Sequence, residues 1–166
     1  MSQWSDPNEE LFRPTLGAHD DAVDFDRPWN PWSLVVLTFF AGLIAGGGLL
    51  AFNFRRLGMK GRLLPTLAIV AVVCLALLGV ELWLLESGRV SLRDRESNRP
   101  MTWAVRAVSM LVAIAIATAQ QQRYRLFQAS GLPHGKLLRP ALAAIGVALV
   151  YGLAVGGLFY TRFYRQ

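Results

Sequence analysis

The sequence predicts an all-α, polytopic membrane protein, a bundle of four transmembrane helices, and three observations carry that prediction. Four apolar runs each reach the roughly 20 residues that an α-helix needs to cross a hydrocarbon core about 30 Å thick. The charges gather in blocks between those runs, in a chain of 166 residues that is 54% apolar and 17% charged. A soluble domain typically carries roughly 25% charged residues. A proline stands near the start of each run, at Pro31, Pro65, Pro100 and Pro140. Proline suits a first helical turn, because the N–H it lacks would have no intrahelical partner there.

Residues 1–30 are polar and acidic, with Asp6, Glu9, Glu10, Asp20, Asp21, Asp24 and Asp26 set against Arg13 and Arg27. Such a segment buries too little apolar surface to offset its ordering entropy, so it reads as a disordered acidic tail. One transmembrane domain follows, over 31–166. Its first span runs from about Trp32 to Phe54 and its second from about Leu63 to Leu85. The third covers about Met101 to Gln121 and the fourth about Leu138 to Tyr160. None has the polar stripe of a soluble helix of that length.

Aromatic residues fit these boundaries, since amphipathic rings prefer the membrane interface. With four crossings, Trp29, Trp32, Trp83, Trp103, Tyr160 and Tyr164 fall at the face carrying the termini, and Phe52, Phe54, Tyr124 and Phe127 at the other. A weak internal repeat is also visible. Phe54-Arg55 then Gly61-Arg62-Leu63-Leu64-Pro65 is echoed by Tyr124-Arg125 then Gly135-Lys136-Leu137-Leu138-Arg139-Pro140. Two repeated helical hairpins would give this pattern, and so would convergent boundary chemistry.

The net charge of +6 reads as interfacial Lys and Arg flanking spans rather than as a nucleic-acid surface, so no nucleic-acid partner is expected. A single cysteine, Cys74, lies within a span, and His19 and His134 have no ligand partner at metal spacing. No metal, cofactor or disulfide framework is therefore expected. The first 30 residues lack a basic-then-apolar signal peptide. No nucleophile–base constellation is legible, so enzyme chemistry is not expected.

Four crossings put both termini and the second loop on one side. Loops one and three then carry Arg55, Arg56, Lys60, Arg62, Arg123, Arg125, Lys136 and Arg139. The other side carries Arg13, Arg27, Arg89, Arg93, Arg95, Arg99, Arg162 and Arg165, an equal number. Orientation follows basic residues near the spans, with the first helix often dominant. The cluster after the first span favours termini outside.

Two ionisable residues fall inside spans, Glu81 and Arg106. Each costs roughly 2.5–3.5 kcal/mol at mid-helix on insertion scales. Both lie about 7 Å inside the same interface at 1.5 Å per residue, which suits an intramembrane ion pair between the second and third helices. Snorkelling toward headgroups and a site for a proton or anionic substrate are the other readings. Helical spacing sets Arg106 on a small polar face with Thr102, Ser109, Ala113, Ala117 and Gln120, and Glu81 on a face with Cys74, Leu77 and Leu78.

Small residues form ridges suited to close helix packing: Thr38, Gly42 and Gly46 on the first span, and Ala144, Ala148, Gly152 and Gly156 on the fourth. Packing within the chain and oligomerisation both use such ridges, and the Gly46-Gly47-Gly48 triplet also loosens or kinks a helix. Arg55, Arg56, Lys60 and Arg62 are candidate lipid-headgroup residues. Asn53 and the Gln120-Gln121-Gln122-Arg123 run at the same interface read as lipid-phosphate ligands or as ordinary boundary polarity.

The stretch Asn30-Pro31-Trp32 through Phe39, Gly42 and Gly46-Gly47 to Asn53-Phe54-Arg55-Arg56-Leu57-Gly58 resembles uncharacterised small bacterial four-helix integral membrane proteins. Those open with a glycine-containing apolar helix closed by an Asn-aromatic-Arg-x-Leu-Gly turn. The resemblance covers the first span and its turn. It implies a multi-pass protein of the bacterial cytoplasmic (inner) membrane, and brings no activity or functional residue with it. Short loops and packing ridges lead to the expectation of an accessory, assembly or structural subunit acting by helix–helix contact, either as a homo-oligomer or in a larger membrane complex. The alternative is a small oligomeric transporter or channel-like protein that uses Glu81 and Arg106.

Overall fold

The computed structural model describes residues 27–88 and 95–163, without the side chains of 95, 97, 158–160, 162 and 163. It is all-helical: α1 (Pro31–Arg56), α2 (Leu63–Glu86), α3 (Arg95–Ala129) and α4 (Leu138–Phe163), with a 3-10 turn at Lys60–Arg62 leading into α2. All four helices are long and apolar enough to cross a membrane. The acidic segment before Arg27, together with Arg89, Arg93, Tyr164 and Arg165, lies outside the described residues.

The first span, expected from about Trp32 to Phe54, does not run through as one helix. Helix α1 is broken at Gly42, whose φ of 84° and ψ of 169° belong to a region open only to glycine. Past this residue the chain reverses. A Cβ placed on Gly46 would lie 2.6 Å from the Cα of Thr38, although eight helical residues span about 12 Å. At the base of the fold-back, Asn53 Oδ1 accepts from the Trp29 N–H at 2.8 Å, and Asn53 Nδ2 donates to the Trp29 carbonyl at 3.0 Å. A straight helix would hold those two positions about 36 Å apart. The two limbs, 31–41 and 43–56, therefore lie antiparallel and reach only about 17 and about 21 Å, short of a hydrocarbon core about 30 Å thick.

Why the limbs close on each other follows from their sequence. Leu34 and Leu50 lie eight residues to either side of Gly42 and are fully buried. Between them and the turn, Thr38 meets Gly46, where the missing side chain admits the opposing backbone. The Thr38 hydroxyl donates to the Leu34 carbonyl at 2.8 Å, so it enters this contact with its own polarity satisfied. The predicted small-residue ridge is thus used, but across a fold-back rather than along one face of a rod. The break falls at Gly42, ahead of the glycine triplet.

This hairpin is the centre of the molecule. Helices α2, α3 and α4 each pack on it, α2 and α3 touch lightly, and α4 packs on α1 alone among the described residues. The main core joins Leu34, Val35, Leu43, Leu49, Leu50 and Phe54 of α1 to Val70 of α2 and to Ala113, Ile116 and Ala117 of α3. The outward faces stay apolar and exposed, as at Leu75 on α2, Leu111 on α3 and Leu153 on α4.

The fold-back also moves the start of the domain. The Gly135 N–H donates to the Pro28 carbonyl at 3.3 Å, and Arg56 Nη1 donates to the Arg27 carbonyl at 3.1 Å. Residues 27–30 consequently sit at the end that carries the turns after α1 and α3, while α4 runs away from that end toward Phe163. The expectation that the chain enters and leaves the domain on one side is overturned for the described residues, because the first apolar run returns to the end from which it starts. Trp29 and Trp32 move to that end with it. Trp83 and Trp103, both exposed, do not.

Boundaries elsewhere fall near their expected places, except in α3. That helix starts at Arg95 and runs to Ala129, which leaves Pro100 inside it rather than in its first turn. Since α3 runs unbroken where α1 folds back, repeated hairpins are not shown.

Candidate functional site

A hairpin that stops halfway leaves the space beyond its tip unfilled. The other three helices continue past Gly42 and line a half-open cavity of about 220 Å³ there. Its floor is the hairpin tip, with Thr38, Ala41, Gly42, Leu43 and Ile44. One wall comes from α2 through Cys74, Leu77, Leu78 and Glu81, and another from α3 through Val105, Arg106 and Ser109. Helix α4 adds Ala148, Tyr151 and Val155.

The cavity is mostly apolar with a few convergent polar groups, the usual make-up of a small-molecule site. Two of those polar groups are already committed to their own helices. The Ser109 hydroxyl donates to the Val105 carbonyl at 2.8 Å, as that of Thr38 does to Leu34. Glu81, Arg106, Tyr151 and Cys74 are the other lining residues with polar groups.

Glu81 and Arg106 reach one cavity, as their depths along α2 and α3 imply, but no carboxylate–guanidinium contact within 4.0 Å joins them. Arg106 instead sits 5.9 Å from the Phe39 ring and 5.8 Å from the Trp103 ring, inside the range where an aromatic face attracts a cation. The expected ion pair is therefore not formed, although both residues line the same cavity. Of the small face expected around Arg106, Ser109, Ala113, Ala117 and Gln120 are buried, whereas Thr102 and Arg106 itself are exposed. The face predicted for Glu81 also holds, since Cys74, Leu77 and Leu78 line the same space.

Beneath the cavity, a polar clamp fixes the hairpin. Asn53 Nδ2 donates to Gln120 Oε1 at 2.7 Å, and Gln120 Nε2 donates to the Leu50 carbonyl at 2.6 Å. Both side chains are fully buried, which corrects their reading as interfacial polarity or lipid-phosphate ligands. Unpaired amides at this depth would each cost the energy of a lost hydrogen bond or more.

The candidate headgroup residues divide. Arg55, Lys60 and Arg62 are exposed at the turn after α1. Arg56 is engaged, with its guanidinium 4.0 Å from the centre of the Trp29 ring. Near it, Tyr124 Oη lies 3.3 Å from His134 Nδ1, over a small second core of Leu57, Tyr124 and Phe127. Of the ridge on α4, Ala144 packs against the main core and Ala148 lines the cavity, whereas Gly152 and Gly156 face open space. No three His, Cys, Asp or Glu side chains converge among the described residues.

Sequence reasoning missed Tyr151. Its signal was present: a phenol in the middle of an aliphatic run, where the interface offers no reason for it. No protein-family model, curated protein or solved structure matches this chain.

Proposed function

We propose that the chain is a multi-pass integral membrane protein that binds a small polar or amphipathic ligand in the cavity over the hairpin tip, in the manner of a transporter. The observation that carries this reading is that Glu81 and Arg106 line one cavity without pairing with each other. Ionisable residues at membrane depth are expensive and usually mark a substrate or ion path. A purely structural pair would have been expected to close. In this reading α2, α3 and α4 cross the bilayer, and α1 enters and leaves from one face.

Orientation follows from the same arrangement. Among the described residues, Arg27 joins Arg55, Arg56, Lys60, Arg62, Arg123, Arg125, Lys136 and Arg139 at one end, against Arg95, Arg99 and Arg162 at the other. The tie between the two sides is gone, and the rule that basic residues stay inside assigns the hairpin end to the cytoplasm. The membrane implied by the sequence resemblance is the bacterial cytoplasmic one.

The test is native mass spectrometry of protein extracted in mild detergent at native expression level. A small molecule or lipid retained by the wild type and lost from the Glu81→Gln, Arg106→Gln double variant supports the reading. A wild type that retains nothing counts against it. A second reading, the accessory subunit, is favoured by one observation. Gly152 and Gly156 present open backbone on α4, which another membrane helix can approach closely. A defined heteromeric complex in the same spectrum would move the conclusion there.

A further inference from the structure

We propose that the cavity takes a zwitterionic lipid headgroup, its phosphate on Arg106 and its primary ammonium on Glu81; this rests on the ligand-binding reading above. Residues of opposite charge, Glu81 and Arg106, line one cavity without touching each other, and neither has another ionic partner among the described residues. A ligand bearing one charge would satisfy one of them and leave the other uncompensated at membrane depth. A ligand bearing both, separated by a short linker, satisfies the two together. Arg supplies a planar fork suited to phosphate oxygens, and a carboxylate accepts the hydrogen bonds that a primary ammonium donates.

The amine is primary on the same grounds. A quaternary ammonium donates no hydrogen bond and is recognised by an aromatic cage. Tyr151 is the one aromatic residue in the lining, and the Phe39 and Trp103 rings are taken up by Arg106.

Size and access point to a lipid. A volume of about 220 Å³ holds a headgroup but not acyl chains, so an amphiphile must leave its tails outside. The backbone of α4 stays clear of those of α2 and α3 among the described residues, and α3 presents Arg106 itself as an exposed residue. The side openings are thus available to tails. Glu81 stands five residues from Glu86 at the end of α2, about 7 Å along the helix, so a headgroup of the nearer leaflet reaches the cavity by sinking a short distance.

The full-length protein is reconstituted into vesicles of equal phosphatidylethanolamine, phosphatidylcholine and phosphatidylglycerol content, extracted gently, and its retained lipid weighed by native mass spectrometry. The expected result is enrichment of the ethanolamine lipid by about tenfold over both others, abolished by Glu81→Gln alone and by Arg106→Gln alone. Equal retention of ethanolamine and choline lipids would overturn the ammonium assignment. Preference for the glycerol lipid, sensitive only to Arg106→Gln, would make the site anionic rather than zwitterionic. Stabilisation by free O-phosphoethanolamine with no lipid retained would overturn the lipid source. No retention of any kind, with no stabilisation, would remove the ligand-binding reading as well. Should a charge variant fail to fold, Ala148→Leu fills the cavity from α4 with both charges kept, and the same loss of retention is expected.

Discussion

Asn53 and Gln120 share a hydrogen bond of 2.7 Å in a fully buried setting, and through it the returning limb of the hairpin is held to α3. Each amide does more than meet the other. Asn53 also satisfies both the N–H and the carbonyl of Trp29, and Gln120 reaches the Leu50 carbonyl. Removing either leaves several buried polar atoms without partners, each costing about 1–3 kcal/mol. Asn53→Ala and Gln120→Ala are each expected to lower unfolding stability in detergent by roughly 2–3 kcal/mol. Because they share a bond, the double variant should fall short of the sum by about 1 kcal/mol or more. Full additivity in that cycle would mean that the amides act independently.

Gly42 decides whether the first apolar run crosses or returns. Spin labels at the exposed positions Trp32 and Phe52 would stand about 30 Å apart on a straight helix. On the hairpin they flank the same base, and a distance below about 20 Å is expected from the limb spacing of packed helices. Gly42→Leu, which puts a side chain at φ 84°, is expected to cost about 1–3 kcal/mol and to broaden the distance distribution. Gly48→Ala is the control. Its new Cβ meets nothing within 4 Å, and it should be neutral or stabilising by up to about 1 kcal/mol.

Much of this architecture is legible in the sequence, and the part that is not has a physical cause. Hydropathy counts apolar residues without regard to direction, so the 26 residues of α1 suit one crossing or two half-depth limbs equally well. What distinguishes the two is the pairing about Gly42: Thr38 and Gly46 at four residues on either side, Leu34 and Leu50 at eight, and Trp29 bonded to Asn53 at the base. On a straight helix those pairs have no relation. The polar residues Asn53 and Gln120 look interfacial because they sit at the ends of apolar runs, and only the fold-back buries them together. Glu81 and Arg106 could be placed at one depth because each helix is regular. Their separation could not, because it depends on where the hairpin stops.

Arg56 tests how the hairpin base is sealed. Its guanidinium stacks at 4.0 Å on Trp29 while donating to the Arg27 carbonyl. A lysine keeps the charge but cannot lie flat on the ring and present a directed N–H at once. Arg56→Lys is therefore expected to lose nearly as much stability as Arg56→Ala, about 1 kcal/mol. Recovery by lysine of the full wild-type melting temperature would show that charge alone matters at this site.

The sidedness of the chain offers the sharpest contrast between a crossing and a returning first helix. In a Cys74→Ser background, single cysteines at Arg27, Leu132 and Ser87 occupy exposed positions. Arg27 belongs to the hairpin end, as does Leu132 just ahead of Gly135, which bonds to Pro28. Ser87 caps α2 at the far end. An impermeant maleimide applied to intact cells should label Ser87→Cys and spare Arg27→Cys and Leu132→Cys until the membrane is opened. A straight first span would pair Arg27 with Ser87 instead. The grouping of 27 with 132 depends only on the fold-back at Gly42, while the side on which they group depends on the nine basic residues gathered there. Labelling of both from outside would thus keep the hairpin and reverse the orientation, and labelling of 27 together with 87 would remove the hairpin.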